Sequence, residues 1–218
     1  MQKENTISGL IGDMISWGIH AYNRPELIAF YSPFFPSIKE TNSFINDCHN
    51  LQNSGNPLAF NIMNNIERLI GLSDGTRHLK KSKDAVQIMF WITCIESAMK
   101  LAEHSMSNKT EKVIEFFETY ILDEDKRVLE QKIQYHNRTG EVITLNAIAR
   151  MFYAIRNDYV HEGNFSAFQF ALDEDINVEN KILLGIRRSE ETFQIYITYT
   201  EMRGIIIRAL INFINFHK

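Results

Sequence analysis

Cysteine, proline and glycine are all scarce in this chain of 218 residues, which has 2 Cys, 4 Pro and 10 Gly. Cys48 and Cys94 are too few for a disulfide framework or a four-cysteine zinc site, and we interpret both as small buried hydrophobic residues. No apolar run reaches the roughly 18 residues that are needed to cross a bilayer. The N-terminus also lacks the basic region that opens a signal peptide. We therefore expect a cytoplasmic protein that makes no contact with the membrane.

A large excess of positive charge is absent as well, because the net charge is −4 and the pI is near 6.0. This balance excludes a polycation, although a local basic patch can still bind nucleic acid. Apolar bulk is plentiful: 44% of the residues are hydrophobic, with 15 Phe and 8 Tyr. The chain can therefore build a sizeable core, as one large domain or as one domain with an attached subdomain.

Apolar residues recur at intervals of three and four from Ser37 onward, which is the spacing of amphipathic helices. Turn sequences at 53–56 and 73–76 separate the first runs. The most apolar predicted helix, over about 84–104, is expected to lie at the centre of a bundle. Further helices are predicted to begin at Ser107 or Asn108, at Asp123 (with Val128, Leu129 and Ile133 on its apolar face), at Leu145, and after a capping box at Thr198–Glu201.

Two short segments near the C-terminus, 181–187 and 192–198, are rich in Ile, Leu, Tyr and Thr. The polar stretch 188–191 lies between them, so the pattern favours a β-hairpin. The predicted fold class is therefore mainly α: a helical bundle with a short β-hairpin before the C-terminal helix.

Several common catalytic and metal-binding patterns are missing. The sequence has no glycine-rich phosphate loop and no nucleophile elbow. The stretch from Asp173 begins like a calcium loop, but Val178 and Leu184 stand where Gly and Glu are required. The histidines form no spacing typical of metal ligands. We expect neither a metal nor a cofactor.

One predicted helix, from Leu145 to His161, carries a polar strip beside its core face. Arg156 and His161 lie about 140° apart on a helical wheel, with Asn157 in the arc between them. A buried helix face does not need this combination of residues. An Arg and a His at a helix C-terminus can also simply complement the helix dipole, and that alternative requires no active site. The apolar face of the same helix is formed by Leu145, Ile148, Phe152, Ile155 and Tyr159.

The polar strip resembles the signature of the HEPN superfamily (higher eukaryotes and prokaryotes nucleotide-binding domain). That signature is an arginine, a polar residue, a few more positions and a histidine, near the end of a long helix. Here it reads Arg156, Asn157, three residues and His161, followed by Glu-Gly as in bacterial members. The segment 90–99 resembles the family's apolar helix with an internal glutamate, here Glu96. The resemblance covers roughly residues 83–218.

The resemblance implies a function, because many HEPN proteins are metal-independent ribonucleases whose motif helices meet across a dimer. By this resemblance Arg156, Asn157 and His161 are the expected catalytic residues of an endoribonuclease that cleaves RNA by attack of its own 2′-hydroxyl. The residue types suit that chemistry, since histidine moves protons near neutral pH and arginine offers a fork of donors to phosphate. The implied partners are RNA or a nucleotide, a second copy bound through the 145–161 helix and, if the protein is a toxin or phage-defence effector like some relatives, an antitoxin.

Four further residues are candidates for substrate binding or for supporting the site: Glu96, Tyr153, Lys80 and Lys81. Glu96 lies on a mostly apolar helix, so we expect it to be paired, with Arg156 as its partner. The basic run 77–83 can guide a nucleic-acid backbone, although a solvated helix start explains it more simply.

The alternative function is a non-catalytic HEPN module that binds nucleotides or RNA, or that serves as a dimeric interaction domain. Because about 135 residues suffice for the HEPN-like part, we predict a HEPN-like helical domain over 76–218. Residues 1–75 are then an N-terminal helical extension or cap.

Overall fold

A bundle of helices carries a small antiparallel sheet in this protein, for which we describe a computed structural model. The structure describes residues 24–79, 83–102, 108–136, 138, 140–161, 168–172, 178–184 and 189–218. The predicted fold class is confirmed, because the chain is mainly helical and a hairpin precedes the last helix. Two candidate site residues, Lys80 and Lys81, lie outside the described residues, as do residues 1–23 and the Glu-Gly pair after His161.

The helices follow the apolar spacing of the sequence, and their ends follow its capping residues. Ser37 accepts a hydrogen bond from the Glu40 backbone N–H, and Asn108 accepts one from that of Thr110. The capping box predicted at Thr198 and Glu201 is present. The helices are α1 (24–31 in its described part), α2 (Ile38–Asn53), α3 (Leu58–Gly75), α4 (Lys83–Leu101), α5 (Lys109–Tyr120), α6 (Asp123–Lys132), α7 (Leu145–His161) and α8 (Tyr199–Phe216).

Helix α4 is central, as its composition predicted. It contacts α3, α5, α7 and α8. Its side chains are buried on most faces, and Trp91 is among the largest fully buried residues of the described chain. Such a helix gains most of its stability from the apolar area that it removes from water. Glu96, in the second half of α4, therefore lies close to the core.

The sheet contains three described strands: β1 (Ile133–Tyr135), β2 (Val178–Leu184) and β3 (Ser189–Ile195). Their order is β1-β3-β2, and both pairings are antiparallel. Ile195 lies opposite Ile133 on one side and opposite Val178 on the other. The sheet therefore joins the end of α6 to the segment just before α8.

The structure corrects three local predictions. Ile133 does not belong to the helix that begins at Asp123, because α6 ends at Lys132 and Ile133 opens β1. Asp123 is the first residue of α6 rather than its cap, and its carboxylate bonds to Lys126 at 3.1 Å. The two hairpin strands begin three residues earlier than predicted, at Val178 and Ser189. The residues that connect them, 185–188, lie outside the described residues.

Helices α1 to α3 share one hydrophobic core with the rest of the bundle. Tyr31 of α1 is fully buried, and its hydroxyl donates to the backbone oxygen of Met63 at 2.8 Å. Ile66 of α3 and Trp91 of α4 belong to the same cluster of buried residues. The division at residue 75 stays a prediction; α3 ends at Gly75, but its apolar face packs against α4.

None of the described helices is both long enough and apolar enough to cross a membrane.

Candidate functional site

Helix α7 begins and ends where the sequence predicted, and its buried face sets the direction of its polar edge. The Thr144 hydroxyl accepts a hydrogen bond from the Ala147 backbone N–H in the first turn. Ile148, Phe152 and Ile155 are buried in the core. These contacts hold the last turn of α7, with its polar residues, beside α4.

Arg156 and Glu96 form an ion pair between α7 and α4. The guanidinium Nη2 donates to the carboxylate Oε2 at 3.0 Å. Only 10% of the Arg156 side chain and 14% of the Glu96 side chain are exposed. The pairing predicted for Glu96 is therefore confirmed, and each of these nearly buried charges has its counter-charge.

The second terminal nitrogen of Arg156 reaches the other two residues of the motif. Nη1 donates to Asn157 Oδ1 at 3.0 Å and lies 3.4 Å from His161 Nε2. Arg156 and His161 thus converge within a single helix, although their wheel positions are about 140° apart. The wheel locates Cα atoms, whereas the long arginine side chain spans the arc. A hydrogen bond at this contact requires His161 Nε2 to be the acceptor, because a guanidinium has only donors, and it therefore requires the neutral tautomer with the proton on Nδ1.

The motif residues become more exposed toward the end of α7. Arg156 is buried, Asn157 is half-buried and His161 is exposed. Val160, beside His161, is an apolar residue that is 45% exposed. The imidazole is therefore the part of this group that a molecule arriving from solvent meets first.

Tyr153 lies one turn before Arg156, and its ring centroid is 5.9 Å from the guanidinium carbon. This distance is within the range of a cation–π contact. The ring is half-buried and packs against the core. Tyr153 therefore contacts Arg156 on α7, and its supporting role stays a prediction.

Two polar atoms of the ion pair have no hydrogen-bond partner among the described residues. They are Arg156 Nε, which is a donor, and Glu96 Oε1, which is an acceptor, and both are buried. Arginine and carboxylate commonly form a fork with two parallel hydrogen bonds. Here a single bond joins them, and Nη1 contacts Asn157 and His161.

Arg77, the first residue of the basic run, lies in a different cluster. Arg77 is 3.6 Å from the Asp74 carboxylate and stacks over the ring of Tyr199, 4.7 Å from its centroid. Arg203 donates hydrogen bonds from Nε and Nη2 to both oxygens of the same carboxylate, at 2.8–3.0 Å. Burial, with the hydrogen bond to Asp74, raises the pKa of Tyr199 to about 12.

Sequence analysis did not single out this Asp74 cluster. Tyr199 and Arg203 are more than 120 positions from Asp74 along the chain, so no local pattern signals that they meet there. Its hydrogen bonds tie the end of α3 to the start of α8. The cluster is therefore satisfied internally and stabilises the bundle.

Among the described residues, no group of three or more His, Cys, Asp or Glu side chains lies close enough together to hold a metal ion. The candidate site is instead an arginine, an asparagine and a histidine in contact, with a glutamate behind the arginine.

Comparisons with protein-family models, curated proteins and solved structures find no match for this chain.

Proposed function

We propose that the protein is a metal-independent endoribonuclease of the HEPN type, with His161 as its acid/base residue. The observation that supports this proposal is the contact of Arg156 Nη1 with both Asn157 and His161 Nε2. Arg156, which can donate hydrogen bonds to a phosphate, and His161, which can accept a proton, are thereby adjacent at the exposed end of α7. The resemblance of the motif to the HEPN signature provides the reaction class.

The reaction begins when the 2′-oxygen of a ribose attacks the adjacent phosphorus. His161 Nε2 takes the proton of the 2′-hydroxyl, as a general base with an available lone pair. Arg156 donates to the phosphate oxygens, whose negative charge grows in the transition state. The bond from phosphorus to the 5′-oxygen breaks, and that oxygen needs a proton. The products are a 2′,3′-cyclic phosphate and a free 5′-hydroxyl.

A second histidine is the proton donor that this reaction requires. We propose that it is His161 of a second copy, which meets the first through α7. Val160, which is 45% exposed beside His161, would lie in this interface. A two-fold axis through this face places one histidine from each copy at the cleft. Light scattering should then find about twice the chain mass of 25.4 kDa; a monomer at working concentrations contradicts the composite cleft.

We propose that in a cell the enzyme acts as a toxin or as a phage-defence effector, as some HEPN proteins do. An antitoxin is then the expected protein partner.

One observation favours the alternative, a non-catalytic module that binds RNA or nucleotides or that mediates dimerisation. Glu96 neutralises the charge of Arg156, whose side chain is only 10% exposed. A neutralised, nearly buried arginine stabilises the growing negative charge of a transition state less than a free one does. Under this alternative the protein does not cut RNA, whether it binds RNA or a nucleotide or serves for dimerisation.

The test is cleavage of single-stranded RNA in EDTA by the wild type and by His161→Ala. We expect the substitution to lower the rate about 100- to 10,000-fold, which is the contribution of a positioned acid/base group. His136→Ala is the matched control, because His136 is also an exposed histidine but lies next to β1 and bonds to Gln194. Circular dichroism verifies that each variant is folded.

Arg156 needs a different pair of variants, because its removal also leaves Glu96 without a counter-charge. Arg156→Lys keeps the charge and loses the planar fork, and it should still reduce cleavage strongly. Arg150→Ala removes an exposed arginine one and a half turns earlier on the same helix and should leave cleavage unchanged. Full activity in both His161→Ala and Arg156→Lys contradicts the proposed function, whereas RNA binding without cleavage by the wild type supports the alternative.

A further inference from the structure

The orientation of the Arg156 guanidinium is unusual for a nearly buried ion pair. Nη2 alone bonds to Glu96, while Nε and Glu96 Oε1 have no partner among the described residues. Rotating the guanidinium toward α4 would pair both atoms in a fork, which is the stronger contact. In the observed orientation Nη1 contacts Asn157 Oδ1 and His161 Nε2 while Nη2 bonds to Glu96.

We infer that Glu96 is a positioning residue for His161 that acts through Arg156. The single hydrogen bond that Glu96 accepts from Nη2 holds the guanidinium in the position where Nη1 contacts His161 Nε2. Glu96 lies on α4, the central and most buried helix, so the anchor is rigid. Without this anchor the guanidinium is free to leave the imidazole, because Asn157 and His161 contact only its other end.

This arrangement has a consequence for the free protein and one for the reaction. In the free protein the lone pair of His161 Nε2 faces a donor, so reagents in solution have limited access to it. The consequence for the reaction rests on the proposed function: an RNA phosphate accepts from Nη1 in place of His161, which exposes Nε2 to the 2′-hydroxyl. Glu96 then keeps Arg156 next to the histidine throughout.

The test measures how fast His161 reacts with diethyl pyrocarbonate. The reagent transfers an ethoxycarbonyl group to an unprotonated imidazole nitrogen, with release of ethanol and carbon dioxide. Peptide mass spectrometry gives the rate for His161 relative to that for His136. In Glu96→Gln we expect this ratio to rise about fivefold, since the amide retains a neutral hydrogen bond but loses its charge-assisted part.

Glu111→Gln is the matched control. Glu111 is another helical carboxylate that pairs with an arginine of α7, namely Arg150 at 3.4 Å, but both side chains are about half exposed. The control should leave the ratio at the wild-type value. An unchanged or lower ratio in Glu96→Gln overturns the inference.

A second variant covers the case in which Glu96→Gln loses its fold and both histidines react faster together. Glu96→Asp keeps the charge but is shorter by one methylene, so it draws the guanidinium toward α4 and away from His161. The ratio should therefore rise in Glu96→Asp as well. A wild-type ratio in that folded variant overturns the inference.

The diethyl pyrocarbonate test of Glu96 and the RNA-cleavage test of the proposed function can fail independently of each other. If the ratio rises while the protein cuts no RNA, Glu96 positions the pair and the ribonuclease proposal is wrong. If RNA is cut through His161 while the ratio does not change, the ribonuclease proposal stands and the positioning inference is wrong. In an active enzyme, Glu96→Gln should lower kcat, because it displaces Arg156 from the position in which it stabilises the negative charge that grows on the phosphate.

Discussion

Removal of Arg156 should destabilise the protein far more than removal of Arg150, although both arginines belong to α7. Arg156→Ala leaves Glu96 as an unpaired carboxylate that is 14% exposed. Arg150→Ala breaks a pair whose two side chains are about half exposed. The two substitutions delete the same atoms from the same helix, so their difference measures the effect of burial.

The expected magnitudes follow from the exposure of the two pairs. Removing one partner of a buried pair costs about 3–5 kcal/mol. Because the Arg156–Glu96 pair keeps a small contact with water, we expect the lower end, about 3 kcal/mol. The surface pair of Arg150 should contribute about 0–1 kcal/mol. Against a total unfolding free energy of about 5–15 kcal/mol, both variants remain folded.

Urea denaturation followed by circular dichroism measures both costs. A double-mutant cycle with Glu96→Ala then isolates the ion pair. The double variant should be more stable than the sum of the two single losses predicts, by about 2 kcal/mol, because it contains no unpaired charge. Equal losses in Arg156→Ala and Arg150→Ala, or strict additivity in the cycle, would refute the assignment of Arg156 and Glu96 as a buried, mutually dependent pair.

Two further predictions concern buried ionisable groups. Burial raises the pKa of the Asp84 carboxyl, against the lowering effect of the hydrogen bond from the Phe170 backbone N–H. The folded state therefore binds that proton more tightly than the unfolded state, and the resulting stabilisation is lost as the pH rises through the folded-state pKa. Asp84→Asn can still accept from Phe170, so urea unfolding should show a larger gain in stability at pH 7.5 than at pH 4; an equal gain at both contradicts the burial argument. Burial also raises the pKa of the Cys48 thiol to about 11 and that of Cys94 to about 12, so at pH 8 neither should react with Ellman's reagent until urea unfolds the chain, and rapid reaction of the native protein contradicts their burial.

The parts of the fold that sequence analysis predicted well are those specified by nearby residues. Helix α7 could be delimited because its apolar residues repeat at three and four over the whole segment from 145 to 161. The start of α8 could be located because Thr198 and Glu201 cap the helix together. Such signals act within a few residues and depend little on the rest of the chain.

Strand β1 could not be predicted in the same way. Ile133 continues the apolar spacing of α6, and its actual place depends on pairing with Ile195, which is 62 positions away. No local preference reveals such a partner, and tertiary pairing prevails over local helical spacing.

The candidate site shows the same division between local and distant information. The motif on α7 is visible in the sequence. The pairing of Glu96 with Arg156 could also be expected, because Glu96 is a charged residue on an apolar helix and needs a counter-charge. The contact of Arg156 with His161 could not be expected from the helical wheel, which ignores side-chain length. The single bond to Glu96 depends on how α4 packs against α7, and only the structure shows it.

The chemistry of the cut RNA ends tests the ribonuclease proposal most directly. Purified protein is incubated with a single-stranded RNA in EDTA, and the products are analysed by mass spectrometry. Attack by the 2′-hydroxyl with His161 as acid/base predicts 2′,3′-cyclic phosphate and 5′-hydroxyl ends from the wild type, and intact RNA with His161→Ala. Cleavage that leaves 3′-hydroxyl and 5′-phosphate ends, or that continues at the wild-type rate in His161→Ala, would contradict it.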